Sequence, residues 1–258
     1  MVAARTRSSC AHDGRIPDAV PLAPIRHAVA HLQQRRWFLP AVAALFQFAT
    51  VEILSSNLSL PMGALSVLGV FLLVAFLLAA LYAYVRALQP KEVRRPQSLV
   101  LIGIVLLVVL LLNRYGLTVI TSLHKTYPHL SLSAMRAALP VPLGAVLLTV
   151  LFNPRLAFAG SLVLTILTGV MLDAPIQYFL FTFVGSLVGV FSLAGRVGRT
   201  AFFHAGSFLG LANAYTLLAF ALLDGHATTL LPDMVGGLVN GGIVAVLATG
   251  LLPLLEHS

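Results

Sequence analysis

Charge is scarce in this chain. Eight acidic side chains and sixteen lysines and arginines make up only 9% of its 258 residues, hydrophobic residues make up 59%, and mean hydropathy is +0.97. So few polar side chains cannot coat a globule of this size in water, which excludes a soluble domain and makes the chain an integral membrane protein. Cysteine is almost missing as well. Cys10 stands alone, so no intramolecular disulfide and no multi-cysteine metal site can form. An ordinary secretory signal is not expected either, because the first apolar stretch begins only after about 36 residues rich in Arg, Ala and Pro.

What the sequence does have is long apolar runs. Backbone groups in lipid must be hydrogen-bonded within their own segment, and a hydrocarbon core about 30 Å thick takes roughly 20 helical residues, so each run reads as a spanning helix. Eight are expected, at 37–56, 62–87, 97–113, 134–152, 157–172, 176–194, 201–223 and 230–254, the fifth short enough to be buried among its neighbours. The fold class is thus all-α, a polytopic transmembrane bundle of about eight helices. Residues 1–36 are expected to be a basic, mostly disordered cytoplasmic tail, 37–56 an N-terminal anchor, and 57–258 a seven-helix module. Within the tail, "APIRHAVAHLQQRR" has the apolar spacing of a short interfacial helix. Turn chemistry marks several boundaries. "PKEVRRPQ" separates the second run from the third, Asn153 is placed to cap a helix with Pro154 in its first turn, and "LDAPIQ" makes a tight connection around Asp173.

Threading the runs alternately puts thirteen of the sixteen basic residues on one side and leaves Arg114, Lys125 and Arg136 on the other. The positive-inside bias then sets both termini in the cytoplasm of a cell (inner) membrane protein. It also removes a nucleic-acid partner, since the basic residues sit between apolar runs and form no basic face. The sizeable external loop is Tyr115–Arg136, expected to carry a short helix on the outer surface.

Glycine spacing is the most repeated local feature. Gly185 with Gly189, Gly206 with Gly210, and Gly237 with Gly241 are small-xxx-small pairs, one in each of the last three helices, with Gly236 and Gly242 widening the last. Such pairs let helices approach closely in lipid, and spacing alone does not separate static packing from a sliding contact. Polar residues in apolar surroundings are Gln47, Glu52, His204, Asn213, Tyr215 and Asn240. Glu52 and His204 sit near helix ends and can reach outward, whereas Asn213 and Asn240 are expected to make interhelical hydrogen bonds. If a small-molecule pocket exists, Asn213, Tyr215 and Asn240 are the first choices for its wall.

No catalytic residue, metal ligand or cofactor is assigned. The His-Asp pair in "AHDG" has no further ligands to close a coordination shell, and "GRVGR" lacks the strand and the Lys-Ser/Thr of a phosphate loop. Asp173, Asp224 and Asp233 lie at external helix ends, where they read as caps, and with His226 they would at most hold a cation weakly.

Four stretches carry a family resemblance: "LYAYVRALQPKEVRR", "FNPRLAFAGSLVLTILTGV", "GRVGRTAFFHAGSFLGLANAYT" and "GGIVAVLATGLLPLLEHS". In order and position they resemble the membrane region of the seven-transmembrane receptors with an intracellular HD phosphohydrolase, over about three quarters of the chain. The resemblance implies sensing outside or within the membrane, coupled to hydrolysis of cyclic di-AMP by a bimetal HD domain that follows the last helix. Two departures are expected. The family's large extracytoplasmic domain does not fit between Ser56 and Met62, and the HD domain would begin beyond Glu256. A truncated or split arrangement is the expectation drawn from this, with a separately encoded HD phosphohydrolase or a second copy of the chain as partner, beside the lipid bilayer.

The leading functional reading is therefore a sensory or regulatory membrane module with no chemistry of its own. A small-solute-binding transporter subunit is the alternative, weakened by helices nearly free of charge at mid-depth. An intramembrane enzyme would need paired catalytic groups at that depth, and the sequence places none there.

Overall fold

The computed structural model describes residues 38–55, 64–89, 96–128, 131–173, 176–195, 199–223 and 230–256. The interfacial helix expected before residue 37, Asp224 and His226 lie outside them. Among the described residues all regular structure is helical, in the order α1 Phe38–Ser55, α2 Ala64–Leu88, α3 Pro96–Thr126, α4 Leu132–Ala137, α5 Leu143–Leu151, α6 Pro154–Met171, α7 Ile176–Leu193, α8 Arg199–Leu223 and α9 Leu230–Glu256.

Six helices, α2, α3 and α6 to α9, are long and apolar enough to cross a membrane, while the apolar part of α1, Pro40–Ser55, is shorter. Several small hydroxyls in the bundle are satisfied locally, as lipid favours. Thr149, Thr165, Ser186 and Thr249 each donate to the carbonyl four residues earlier, at 2.6–2.8 Å. Gln47 in α1 is buried and donates to the Phe71 carbonyl of α2 at 2.7 Å, and Glu52 is exposed near the end of α1.

Two expectations change. Helix α3 does not stop near Asn113 but continues to Thr126, so the first half of the expected external loop belongs to it. No breaker interrupts this stretch. Asn113 returns its amide to the Val109 carbonyl at 2.8 Å, and Thr118 and Thr126 bond back in the same way. The expected fourth span, 134–152, is broken instead into the short α4 and the nine-residue α5. Pro140 and Pro142 sit at the break, and each removes an amide donor that a continuous helix would need.

Helix α5 is the centre of the bundle. Every residue from Leu143 to Thr149 is buried, walled by α3, α6, α7 and α9. Helix α6 is the most buried of the six long helices, as its short length suggests. It starts as expected, with the Asn153 side chain accepting from the Leu156 amide at 2.9 Å and Pro154 in the first turn. Asn153 also exchanges two 2.7 Å hydrogen bonds with the Gln89 amide, and Tyr84 donates to the Arg155 carbonyl, so the end of α2 is tied to the α5–α6 turn. Asp173, with φ of 47°, and Gly195, with φ of 77°, close α6 and α7 in the left-handed region that ends helices.

Asn153→Ala removes the cap and the Gln89 pair together. The expected loss is about 2 kcal/mol, near the upper end for a helix cap. It is measured as a lower thermal midpoint in detergent, and Gln89→Ala alone should lose less.

Candidate functional site

The proline break sets a backbone problem and the neighbouring helices solve it. In a continuous helix the Arg136 carbonyl would accept from residue 140, but Pro140 has no N–H. The Tyr178 hydroxyl of α7 takes that place at 3.2 Å, and the Leu139 amide bonds the same carbonyl at 3.1 Å. The carbonyls of Ala137 and Leu139 both accept from the Asn240 side-chain amide of α9, at 2.9 Å for Ala137. Asn240 is completely buried. Irregular backbone buried in a membrane bundle is tolerated only where protein groups complete its hydrogen bonds, and Asn240 and Tyr178 contribute such bonds here.

Asn240 belongs to a stripe on α9. Asp233, Gly236 and Asn240 fall at i, i+3 and i+7, on one helical face. Ser133 and Ser131 donate to the Asp233 carboxylate at 2.6 and 3.2 Å. A side chain at Gly236 would run into the Ala134 carbonyl, so α4 lies directly on the α9 backbone there. The segment 131–139 is thus bound at its start, middle and end to a single face of α9. Ser131 also caps α4 by accepting from the Ala134 amide.

Below this level α9 packs on α8, the most extensive helix pair in the bundle. A methyl on Gly206 would meet the Gly241 carbonyl at 2.6 Å, one on Gly210 the Leu238 carbonyl at 3.0 Å, and one on Gly237 the Ala214 amide at 2.9 Å. Gly241 has the Gly206 carbonyl and Gly210 in the space its side chain would need. The contact is backbone on backbone, close enough for Cα–H···O bonds. Asn213 of α8, fully buried, donates to the Asn240 side-chain oxygen at 3.3 Å, and its own Oδ1 fills the space that a side chain at Gly185 would take. Gly189 faces Val146 of α5 and Leu209 of α8.

Of the polar residues singled out from sequence, Asn213 and Asn240 are brought together. Tyr215 is 73% exposed on the outside of α8, and His204 is also exposed, so neither joins them. An apolar groove of about 500 Å³ runs between α8 and α9, walled by Phe203, Gly206, Gly210, Leu238, Gly241 and Val246, and none of the three expected wall residues lines it. Among the described residues no three His, Cys, Asp or Glu side chains come together as metal ligands.

Sequence reasoning missed Tyr178, Ser131 and Ser133, and treated Asp233 as a simple cap. The signal was present in "LPVPLG", two prolines inside a run read as one helix. A reader who stopped there would have asked which side chains satisfy the carbonyls the prolines strand.

A bundle in which six of the described helices are long and apolar enough to cross a membrane, packed around a short buried helix, defines a multi-pass membrane protein. The model of the family described as the 7TM receptor with intracellular HD hydrolase matches residues 64–258, and the chain belongs to this family. It is 24% identical over 211 residues to the cyclic-di-AMP phosphodiesterase PgpH of Bacillus subtilis (strain 168), covering 78% of this chain. The chain spans 28% of the length of that relative. No solved structure matches it.

Two glycines one residue apart give a sharp contrast. Gly241→Ala is expected to cost about 2 kcal/mol through overpacking of a tight interface. Gly242→Ala, with nothing within 4 Å of the new methyl and a better helix former in place, should leave the thermal midpoint unchanged or raise it slightly. Unfolding of both variants in detergent checks this.

Proposed function

We propose that this chain is a sensory or regulatory transmembrane module that relays a signal to an HD phosphohydrolase acting on cyclic di-AMP, and that it performs no chemistry itself. The observation that carries the reading is the family match, which runs co-linearly from α2 to the end of α9 and so spans the broken helix and its seam. The named activity of the Bacillus relative supplies the reaction and substrate. The HD domain that would receive the signal is either separately encoded or joined to α9, and a second copy of this chain is the other partner proposed.

The polar seam supports relay over solute transport. Its buried side chains bond to one another and to backbone carbonyls at the break, and the open groove between α8 and α9 is apolar. A small-solute carrier would be expected to aim polar groups into its cavity.

The orientation proposed puts both termini in the cytoplasm, on the strength of the basic-residue asymmetry. Reporter fusions after Leu88, Thr126 and Leu193 test it. Activity of a cytoplasmic reporter is expected at Leu88 and Leu193 and of a periplasmic reporter at Thr126, and the reverse pattern overturns the orientation.

The relay itself is tested by exchanging the transmembrane region of the Bacillus phosphodiesterase for residues 64–258. The chimera should insert and hydrolyse cyclic di-AMP in membranes, and Asn240→Ala should change its rate several-fold. A rate indifferent to every substitution in the seam would remove the relay reading.

A further inference from the structure

The outer segment Ser131–Leu139 differs from the rest of the bundle in what holds it. Its chain neighbour α5 is buried on all sides and fixed, but the two are joined through Pro140 and Pro142, which remove the hydrogen bonds that would make them one rod. Around the break α3 and α6 contribute apolar packing, Leu117 and Leu172 clustering with Leu139 and Val141, but two of their buried polar side chains do not hydrogen-bond to it. Asn113 of α3 lies between Val109, which packs on Gly144, and Gly116, which packs on Leu139, so helical spacing turns it toward the break. Thr168 of α6 lies in the same way between Leu164, against Gly144, and Leu172, which clusters with Leu139 and Val141. Both are completely buried, yet neither the Asn113 Oδ1 nor the Thr168 Oγ1 has a hydrogen-bond partner among the described residues.

The polar attachments go elsewhere. Asp233 holds Ser131 and Ser133, Gly236 receives Ala134, and Asn240 holds the carbonyls of Ala137 and Leu139, all on one stripe of α9, with Tyr178 of α7 adding a bond to the Arg136 carbonyl. The same α9 runs on through its glycine contact with α8 to Glu256.

We propose that Ser131–Leu139 is an input lever, hinged at Pro140–Pro142 on the immobile α5 and fastened to α9, so that displacing α4 shifts α9 against α7 and α8. This deepens the relay reading and rests on it for its purpose. Two features suit α9 to such a shift. Its contact with α8 is lined by Gly206, Gly210, Gly237 and Gly241, with no interlocking side chains at those positions to resist sliding or rotation. Asn213, whose Oδ1 also lacks a hydrogen-bond partner, meets Asn240 through a single 3.3 Å bond that can break and re-form.

The test uses the full chain in lipid nanodiscs with Cys10→Ser and Ser133→Cys/Asp233→Cys. Spin labels are carried on p-acetylphenylalanine at Phe191 of α7 and Val246 of α9, both exposed, which leaves the cysteines free. Oxidation should form the disulfide, because the Ser133 and Asp233 side chains are in direct hydrogen-bond contact in the native chain. The oxidised protein should give a single narrow distance between the labels. Reduction releases the Ser133–Asp233 attachment, leaving those at Gly236 and Asn240, and should broaden that distance or move it by about 2 Å, the scale of helix shifts in switching proteins. Reoxidation should restore it, which separates a lever from a folding defect.

Failure of the disulfide to form would overturn the fastening, and identical distances in the two redox states would overturn the lever. The labels report on this chain alone. Either result therefore leaves the relay reading standing, and a chimera indifferent to seam substitutions would overturn that reading without touching the lever.

Discussion

The structure depends on one constraint. Inside a bilayer a backbone carbonyl has no water to turn to, so each must be met by its own helix or by another part of the protein. Most of the chain obeys through unbroken helices whose hydroxyls fold back on their own carbonyls. The exception is the stretch from Arg136 to Pro142, where two prolines withdraw donors. Tyr178 of the seventh helix answers the Arg136 carbonyl that Pro140 leaves, and Asn240 of the ninth binds the neighbouring carbonyls of Ala137 and Leu139, so both helices meet at the break.

This arrangement gives the bundle an inside and an outside that differ in kind. Helix α5 and the faces of α3, α6 and α7 around it form a continuous apolar core in which Leu143, Leu147, Leu148, Leu156 and Leu164 are fully buried. In lipid such packing gains dispersion contacts without the hydrophobic drive of water, so close approach and completed hydrogen bonds set the specificity. Glycines supply the close approach between α8 and α9, and the asparagine pair supplies registration, since a slip of one residue would carry Asn240 away from the carbonyls it serves.

The same economy bears on function. A module that relays a signal needs an element that can move and a route by which the movement travels. The short α4 is hydrogen-bonded to α9, and α9 continues to Glu256, within the matched region. The proposed relay rests on membership of the receptor family, and the proposed lever on the geometry of the seam.

By itself the sequence determined the class of protein, the family and most of the helices, because hydropathy over some 20 residues and the turn chemistry of Asn153 and Pro154 are local properties. It named Asn213 and Asn240 for the same reason, as amides in apolar surroundings. What only the tertiary structure decided was the partnership. That Asn240 serves the carbonyls of Ala137 and Leu139, more than a hundred residues away, that Tyr215 faces outward while Tyr178 faces in, and that α3 runs on past Asn113 all follow from how the helices rotate and pack. Helix rotation in lipid is set by contacts with neighbours, and no stretch of sequence records which neighbour it will meet.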